Sequence, residues 1–373
     1  MKNASKNIAL FIFSMFLCFI VLEVSLRIYN PFQWRIKRNK IILPVNRVYV
    51  FDNIKIDKLD KKITHTKNSL GFRGENPPKD LNDYLSIIIV GGSTAECFYL
   101  SDNKAWPYLT SQKLKKTYEP IWLNNAGLAG HSTFGHLILL KDYLTELKPK
   151  IIIFMIGAND IARDDLNRYD KVTLRGRYSS LKNFIVKNSE VAFATANVVR
   201  VFKAQKMGVT HRSLNIAESD KLEISKEKIE SELKRHKKEY VDAYKKRLLQ
   251  IISTSRENGI EPIFVTQPML CGDEVDNFTG VYLGNVKISD SINGKLYWKV
   301  TELYNNATEE IANRTGTFVI DLANKMPKNS LYFYDNWHYT NEGAEKASKI
   351  VYAELNKYLD RNYEVFKKKN LRR

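Results

Sequence analysis

The chain has 373 residues and a formal net charge of +18, from 59 Lys and Arg against 41 Asp and Glu. That length exceeds one ordinary domain and leaves room for an α/β domain with an anchor and an insertion. Three cysteines do not make a disulfide scaffold. The positive excess comes without RNA-binding aromatic motifs or a recognition helix, which argues against nucleic acid and leaves anionic envelope polymers, lipid headgroups or plain composition bias.

Residues 8–22 (IALFIFSMFLCFIVL) carry no charge, and the apolar character persists to Ile28 with only Glu23 and Arg27 interrupting it. The span is close to the ~20 residues that cross a bilayer. Glu23 and Arg27 lie one helical turn apart, where they can pair near the interface. No A-x-A-like site follows: Glu23 and Ser25 flank the best candidate cut, and Cys18 follows Leu17 rather than a small residue, against lipoprotein processing. The expectation is one retained membrane helix over residues 1–29. Lys2 and Lys6 precede it while Arg27, Arg35, Lys37, Arg38 and Lys40 follow, a count that by itself places the bulk of the chain in the cytoplasm.

Residues 30–84 hold Pro31, Pro44, Pro77 and Pro78 among many charges and read as a stalk, with NSLGFRGE (68–75) as a turn-rich segment packing on the globular domain. The chain's organising stretch is 85–96, LSIIIVGGSTAE. Ile87, Ile88, Ile89 and Val90 run into two glycines, as a strand buried on both faces of a parallel sheet does. Ser93 then sits at a strand-to-helix turn, where it either caps the helix or serves as a nucleophile.

The same strand, Gly turn and helix pattern returns twice. Residues 121–125 (IWLNN) lead to AGLAGHST and a helix with Phe134, Leu137, Ile138, Leu144 and Leu147 on one face. Residues 150–156 (KIIIFMI) end in GAND, with Gly157, Asn159 and Asp160 at the same sheet edge. Such repeats predict βαβ units with right-handed crossovers. Residues 161–220 are weakly patterned apart from a helix-like piece over 191–202, and read as an insertion over the active edge. A helix is expected over 222–258, strands over 262–266 and 317–322 with a helix at 293–313 between them, and a last helix from Thr340. Just ahead of that helix, Asp335 stands three residues before His338, a spacing at which a carboxylate can lock an imidazole's tautomer. A basic tail, KKKNLRR, closes the chain within 363–373.

In order, Ser93, Gly130, Asn159, Asp335 and His338 resemble the four motif blocks of the SGNH (GDSL-type) hydrolases, over residues 85–360. Gly-Gly-Ser-Thr stands where Gly-Asp-Ser is usual, so Gly92 replaces the common Asp. The resemblance implies a three-layer, flavodoxin-like α/β fold of about five parallel strands over 85–362, interrupted by the 161–220 insertion. It implies Ser93 as nucleophile, His338 as base, Asp335 as its orienting acid, and the Ser93 and Gly130 N–H groups with the Asn159 amide as oxyanion donors. Gly127 is close enough to Gly130 to compete for that role.

The chemistry agrees, because ester cleavage through serine needs a base, a group that orients it, and donors for the developing oxyanion. No phosphate-binding loop, no zinc-spaced Cys or His pair and no Gly-x-Gly-x-x-Gly occurs, so neither metal nor cofactor is expected. The expected reaction is deacylation, above all O-deacetylation of envelope carbohydrate. Acyl transfer to a glycan from the same site and an inactive binding module are the alternatives. Anchored members of this family usually display the domain outside the cytoplasm, which opposes the Lys and Arg count. In an oxidising compartment Cys97 and Cys271, which both follow strands near the active edge, would either pair or remain free thiols.

Overall fold

A computed structural model describes residues 2–29, 36–37, 40–54, 56–163, 181–206, 211 and 213–369. The apolar run at 85–91 forms strand β1 (Leu85–Gly91), with every residue buried. It is followed in the main sheet by β2 (Ile121–Asn125), β3 (Ile151–Met155), β4 (Glu261–Val265) and β5 (Phe318–Ile320). All five are parallel, in the order β5-β4-β3-β1-β2. This is the flavodoxin-like order, and its switch point falls between β1 and β3, where the chain leaves one side of the sheet for the other. Ser93 follows β1 and Asn159 follows β3, so both stand at the carboxyl ends that flank the switch.

The helices include α1 (Lys2–Ile28), α2 (Ser93–Glu96), α3 (Trp106–Leu114), α4 (Thr133–Leu139), α5 (Leu181–Asn188), α6 (Glu190–Lys206), α7 (Lys226–His236), α8 (Asp242–Glu257), α9 (Gly294–Thr315) and α10 (Asn341–Asn362). Ile87 and Ile89 join a buried cluster with Trp106 and Leu114 of α3 and Val351 and Leu355 of α10. The pleat turns Ile88 and Val90 to the opposite face; they are equally buried, and α4 and α8 pack together outside that cluster. Burying each such side chain contributes about 2 kcal/mol, which explains why an unbroken Ile and Val run marks the central strand.

The described residues of 43–163 and 211–369 form one compact unit, and those of 1–42 and 181–206 a second. Residues 43–84, expected as the later part of a stalk, therefore belong to the unit that carries the sheet. Strand Arg47–Asp52 pairs antiparallel with Lys62–Lys67, whose buried face is Ile63, His65 and Lys67. Two of those three side chains are polar, so the strand shows no apolar alternation. In NSLGFRGE, Asn68 Oδ1 accepts the N–H groups of Leu70 and Phe72, both at 3.0 Å, and Phe72 and Arg73 are buried. The tail is also tied in as far as 369: Glu119 N–H donates to Phe366 O at 2.8 Å and Lys368 N–H to Thr117 O at 2.9 Å. The expected 222–258 helix begins at Lys226, where the Ser225 side chain caps it, and a π-turn at Lys237–Val241 separates α7 from α8.

In the second unit, α1 is long and apolar enough to cross a membrane over Lys6–Ile28, with mean hydropathy 2.5; length and composition fit a span or a signal sequence alike. The pairing expected of Glu23 and Arg27 is present, at 2.8 Å. Glu23 also accepts the Glu190 and Val191 N–H groups at 3.0 and 3.1 Å and the Ser189 hydroxyl at 2.8 Å, so a side chain of α1 caps the start of α6. Of the 161–220 insertion, 164–180, 207–210 and 212 lie outside the described residues; α5 and α6 pack on each other, and 211–220 returns to the sheet-bearing unit.

Candidate active site

Two close-fitting turns meet at the end of β1. Leu128 N–H donates to Gly91 O at 3.0 Å and Ala126 N–H to Ile89 O at 2.8 Å, which lays the loop after β2 across the strand end. Asn125 Nδ2 donates to Ala95 O at 2.8 Å, and Ala129 N–H to the buried Glu96 carboxylate at 2.8 Å. Glu96 in turn pairs with buried Lys67 at 3.4 Å, so the hairpin braces the short helix that begins at Ser93. Trp106 Nε1 donates to Thr94 O at 2.9 Å from the other side.

The DxxH block comes to the same point. Asp335 accepts the N–H groups of Trp337 and His338, both at 2.8 Å, and lies 2.7 Å from His338 Nδ1. His338 Nε2 is 2.8 Å from Ser93 Oγ. Burial acts to raise the Asp335 carboxyl, but the His338 hydrogen bond and charge and the two N–H groups outweigh it and hold it below its ordinary value. An ionised carboxylate only accepts, so Nδ1 carries the ring proton and Nε2 is left to accept from the Ser93 hydroxyl. Thr340 caps α10 through Gly343 N–H at 3.0 Å, which fixes the loop's exit. A Cβ on Gly343 would lie 1.9 Å from Tyr332 O, so only glycine fits there.

Asn159 lies over Gly92: its Nδ2 would be 2.4 Å from a Cβ at that position, and it donates to His131 O at 3.0 Å. The glycine that replaces the family's usual Asp thus leaves room for the amide next to Ser93. Behind it, Asp160 is fully buried, accepts the Thr133 N–H at 3.1 Å and pairs with Arg247 at 3.5 Å. Burial raises the Asp160 carboxyl despite that cation and the Thr133 donors. The two candidate glycines part company. Gly127 N–H is taken by Asn125 Oδ1 at 2.9 Å, whereas Gly130 has φ +80 with open space about its Cα and no hydrogen bond among the described residues. The structure therefore brings Ser93, Asp335 and His338 into one hydrogen-bonded line, with Asn159 and the Gly130 turn beside its serine end.

Two groups at the site have no counterpart among the residues the sequence singles out. His211 lies with its ring centroid 4.2 Å from that of His338, and its Nδ1 is 2.8 Å from the Tyr334 hydroxyl. Burial and then the neighbouring His338 lower its pKa to about 4. A histidine in a weakly patterned segment far along the chain gives no sequence signal. Arg73 is buried and donates to the carbonyls of Glu96, Cys97 and Leu100 at 2.7, 2.6 and 2.9 Å. Those carbonyls belong to the turn that lines the cavity at Ser93, about 20 Å³ in volume and bounded also by Tyr99, Ala129, His211, Tyr334 and His338. A larger cavity of about 200 Å³ lies on the Arg73 and Asp102 side of that turn, away from Ser93. Cys97 and Cys271 are buried free thiols; Cys97 Sγ donates to Thr94 O and Cys271 Sγ to Asn336 Oδ1.

A parallel sheet of flavodoxin-like order, with a Ser–His–Asp line at its switch point, defines a serine hydrolase of the three-layer α/β class. The model of the GDSL-like Lipase/Acylhydrolase family matches residues 89–346, and the chain belongs to that family. Among solved structures it is similar to the crystal structure of TesA, at 13% identity over 73% of this chain and 98% of that one, TM-score 0.40. It is similar also to the acetyl xylan esterase AlAXEase, at 12% identity over 72% and 98%, TM-score 0.40. A third is a mutant of Axe2, an acetyl-xylooligosaccharide esterase from Geobacillus Stearmophilus, at 13% identity over 72% and 93%, TM-score 0.42. No curated protein matches the sequence.

Proposed function

We propose that this serine hydrolase removes short acyl groups, acetyl above all, from cell-envelope carbohydrate through an acyl-enzyme. The observation that carries the reading is the hydrogen-bonded line from Ser93 Oγ through His338 to Asp335, at 2.8 and 2.7 Å. His338 Nε2 takes the hydroxyl proton as Ser93 Oγ attacks the ester carbonyl, and Asp335 stabilises the imidazolium that forms. The oxyanion is received by the Ser93 and Gly130 N–H groups and the Asn159 amide, each worth ~3 kcal/mol. Collapse expels the sugar alkoxide, which takes the proton from His338; water then repeats the sequence in reverse and frees the acid.

The small volume beside Ser93 supports a short acyl group. The aromatic surface of Tyr99 at that cavity suits a sugar ring. Residues 1–29 serve in this reading as a membrane anchor, with the hydrolase domain outside the cytoplasm. Large domains translocate regardless of flanking charge, and a chain basic throughout crowds Lys and Arg on any flank. Ser93→Ala tests the chemistry: turnover of p-nitrophenyl acetate should fall by about 10³-fold or more, while stability changes by no more than ~1 kcal/mol. A fluorophosphonate should label the parent at Ser93, and a folded variant that keeps most of its turnover would sink the proposal. Offering acetylated glycans and then an acyl acceptor separates hydrolysis from transfer, and reporters fused after Tyr29 locate the domain.

A further inference from the structure

His211 has no part in the acyl chemistry proposed above, yet its ring packs against the imidazole on which that chemistry depends, with centroids 4.2 Å apart. One ligand atom from each of His211, Asp335 and His338 falls within 4.8 Å of the others. Two imidazoles and one carboxylate make a donor set suited to zinc or copper rather than to magnesium or calcium, which favour all-oxygen sites. A three-ligand set with an open position is also the pattern of accessible zinc sites.

We propose that His211, Asp335 and His338 bind a divalent cation of the zinc and copper class, and that binding it switches the hydrolase off. The inference rests on the esterase reading for its consequence but not for the site itself.

Zinc holds nitrogen at about 2.0 Å, so tetrahedral ligand atoms stand roughly 3.3 Å apart. His211 Nδ1 is 4.0 Å from Asp335 Oδ2, and His338 Nδ1 is 2.7 Å from the same oxygen. Those two spacings bracket the tetrahedral value of about 3.3 Å, and the third lies within 4.8 Å. Both histidines line the ~20 Å³ cavity at Ser93, which exceeds the volume needed for one water as a fourth ligand. The Tyr334 hydroxyl, which bonds His211 Nδ1 at 2.8 Å, gives up that bond as the nitrogen turns to the cation. A lone pair of His338 given to the cation is no longer available to accept the Ser93 proton, or the ring loses the Asp335 bond that aims it. Either way the serine has no base.

The plain alternative is that His211 only fills an aromatic corner between Tyr99 and Tyr334. His211→Gln separates the two, because it keeps a polar partner for Tyr334 and most of the volume while losing the imidazole. With the full chain in detergent, zinc sulfate should abolish p-nitrophenyl acetate turnover and EDTA should restore it. His211→Gln should turn over substrate within a few-fold of the parent and need at least about tenfold more zinc for the same loss, as removal of even an outer partner of a metal site weakens binding 10- to 100-fold. Cobalt(II) absorbance, read on Ser93→Ala protein, reports binding without turnover, so failure of the metal site and failure of the esterase reading are told apart. The proposal is overturned if cobalt leaves the spectrum of Ser93→Ala unchanged, or if His211→Gln binds cobalt and loses activity at the parent's zinc concentration.

Discussion

Residues 43–84 and helices α5 and α6 both lie outside the βαβ core, and each has a charged side chain set against a helix end. Arg73 donates to the carbonyls of Glu96 and Cys97, at the C-terminal end of α2, and to that of Leu100 beyond it. Glu23 accepts the Glu190 and Val191 N–H groups at the N-terminal end of α6. In each case the charge opposes the helix dipole and satisfies groups that the helix itself cannot. The difference is depth. Arg73 is buried and bonded to several carbonyls and to Asp102, while Glu23 lies among largely exposed α1 neighbours. A buried guanidinium makes the segment part of the nucleophile's own support, and a more exposed carboxylate makes a local joint.

The sharpest way to break this comparison is Arg73→Ala. It takes a donor from three carbonyls, of which Cys97 O keeps only the Leu100 N–H, and leaves Asp102 without its guanidinium, a loss of about 3 kcal/mol or more. Thermal unfolding should show that loss directly, and turnover should fall with it because the turn from Cys97 to Leu100 lines the cavity at Ser93. Arg73→Lys keeps the charge but not the fork and should recover only part of either quantity. If Arg73→Ala unfolds like the parent, Arg73 is not what fastens residues 43–84 to the turn after α2.

That outcome bears on what the sequence can disclose. The five strands and the strand-end place of Ser93 were legible because apolar runs and strand-end glycines follow from burial and turn geometry, and Asp335 and His338 through their three-residue spacing and the resemblance of the motif blocks. The hairpin of 43–84 was not, since its buried face carries His65 and Lys67, and such a strand is indistinguishable from a charged linker. His211 was invisible for another reason: its only sign is contact with a ring on a distant segment. The Asn159 amide was expected from its motif, but the room left for it by Gly92 is evident only once a Cβ is placed there.

A second effect, smaller than that of Arg73, comes from His211. Burial and the adjacent His338 lower its pKa to about 4, whereas an unfolded histidine titrates near 6.5. The unfolded chain therefore binds more protons through this window, and stability rises with pH across it. The contribution is complete above about pH 6.5 and is lost as pH falls toward about 4, amounting to at most ~3 kcal/mol. Denaturant unfolding across that window should show the slope in the parent and a flatter one in His211→Gln. Equal slopes would mean that His211 is exposed in solution and not packed against His338.

The smallest effect is expected at the shallow joint. Glu23→Ala removes the acceptor for two N–H groups and the Ser189 hydroxyl, and the loss of such a cap costs about 1 kcal/mol. Glu23→Gln keeps an acceptor oxygen but gives up the charge, so it should fall between the two, with Arg27 then left to its bond with Asn188 O. Hydrogen exchange in detergent should quicken at residues 190–193 in Glu23→Ala, while p-nitrophenyl acetate turnover holds, because no group of the Ser93, His338 and Asp335 line bonds to that helix start. Slower exchange elsewhere is not expected. A fall in turnover comparable to that of Arg73→Ala would erase the distinction between the two fastenings and make α6 part of the catalytic support.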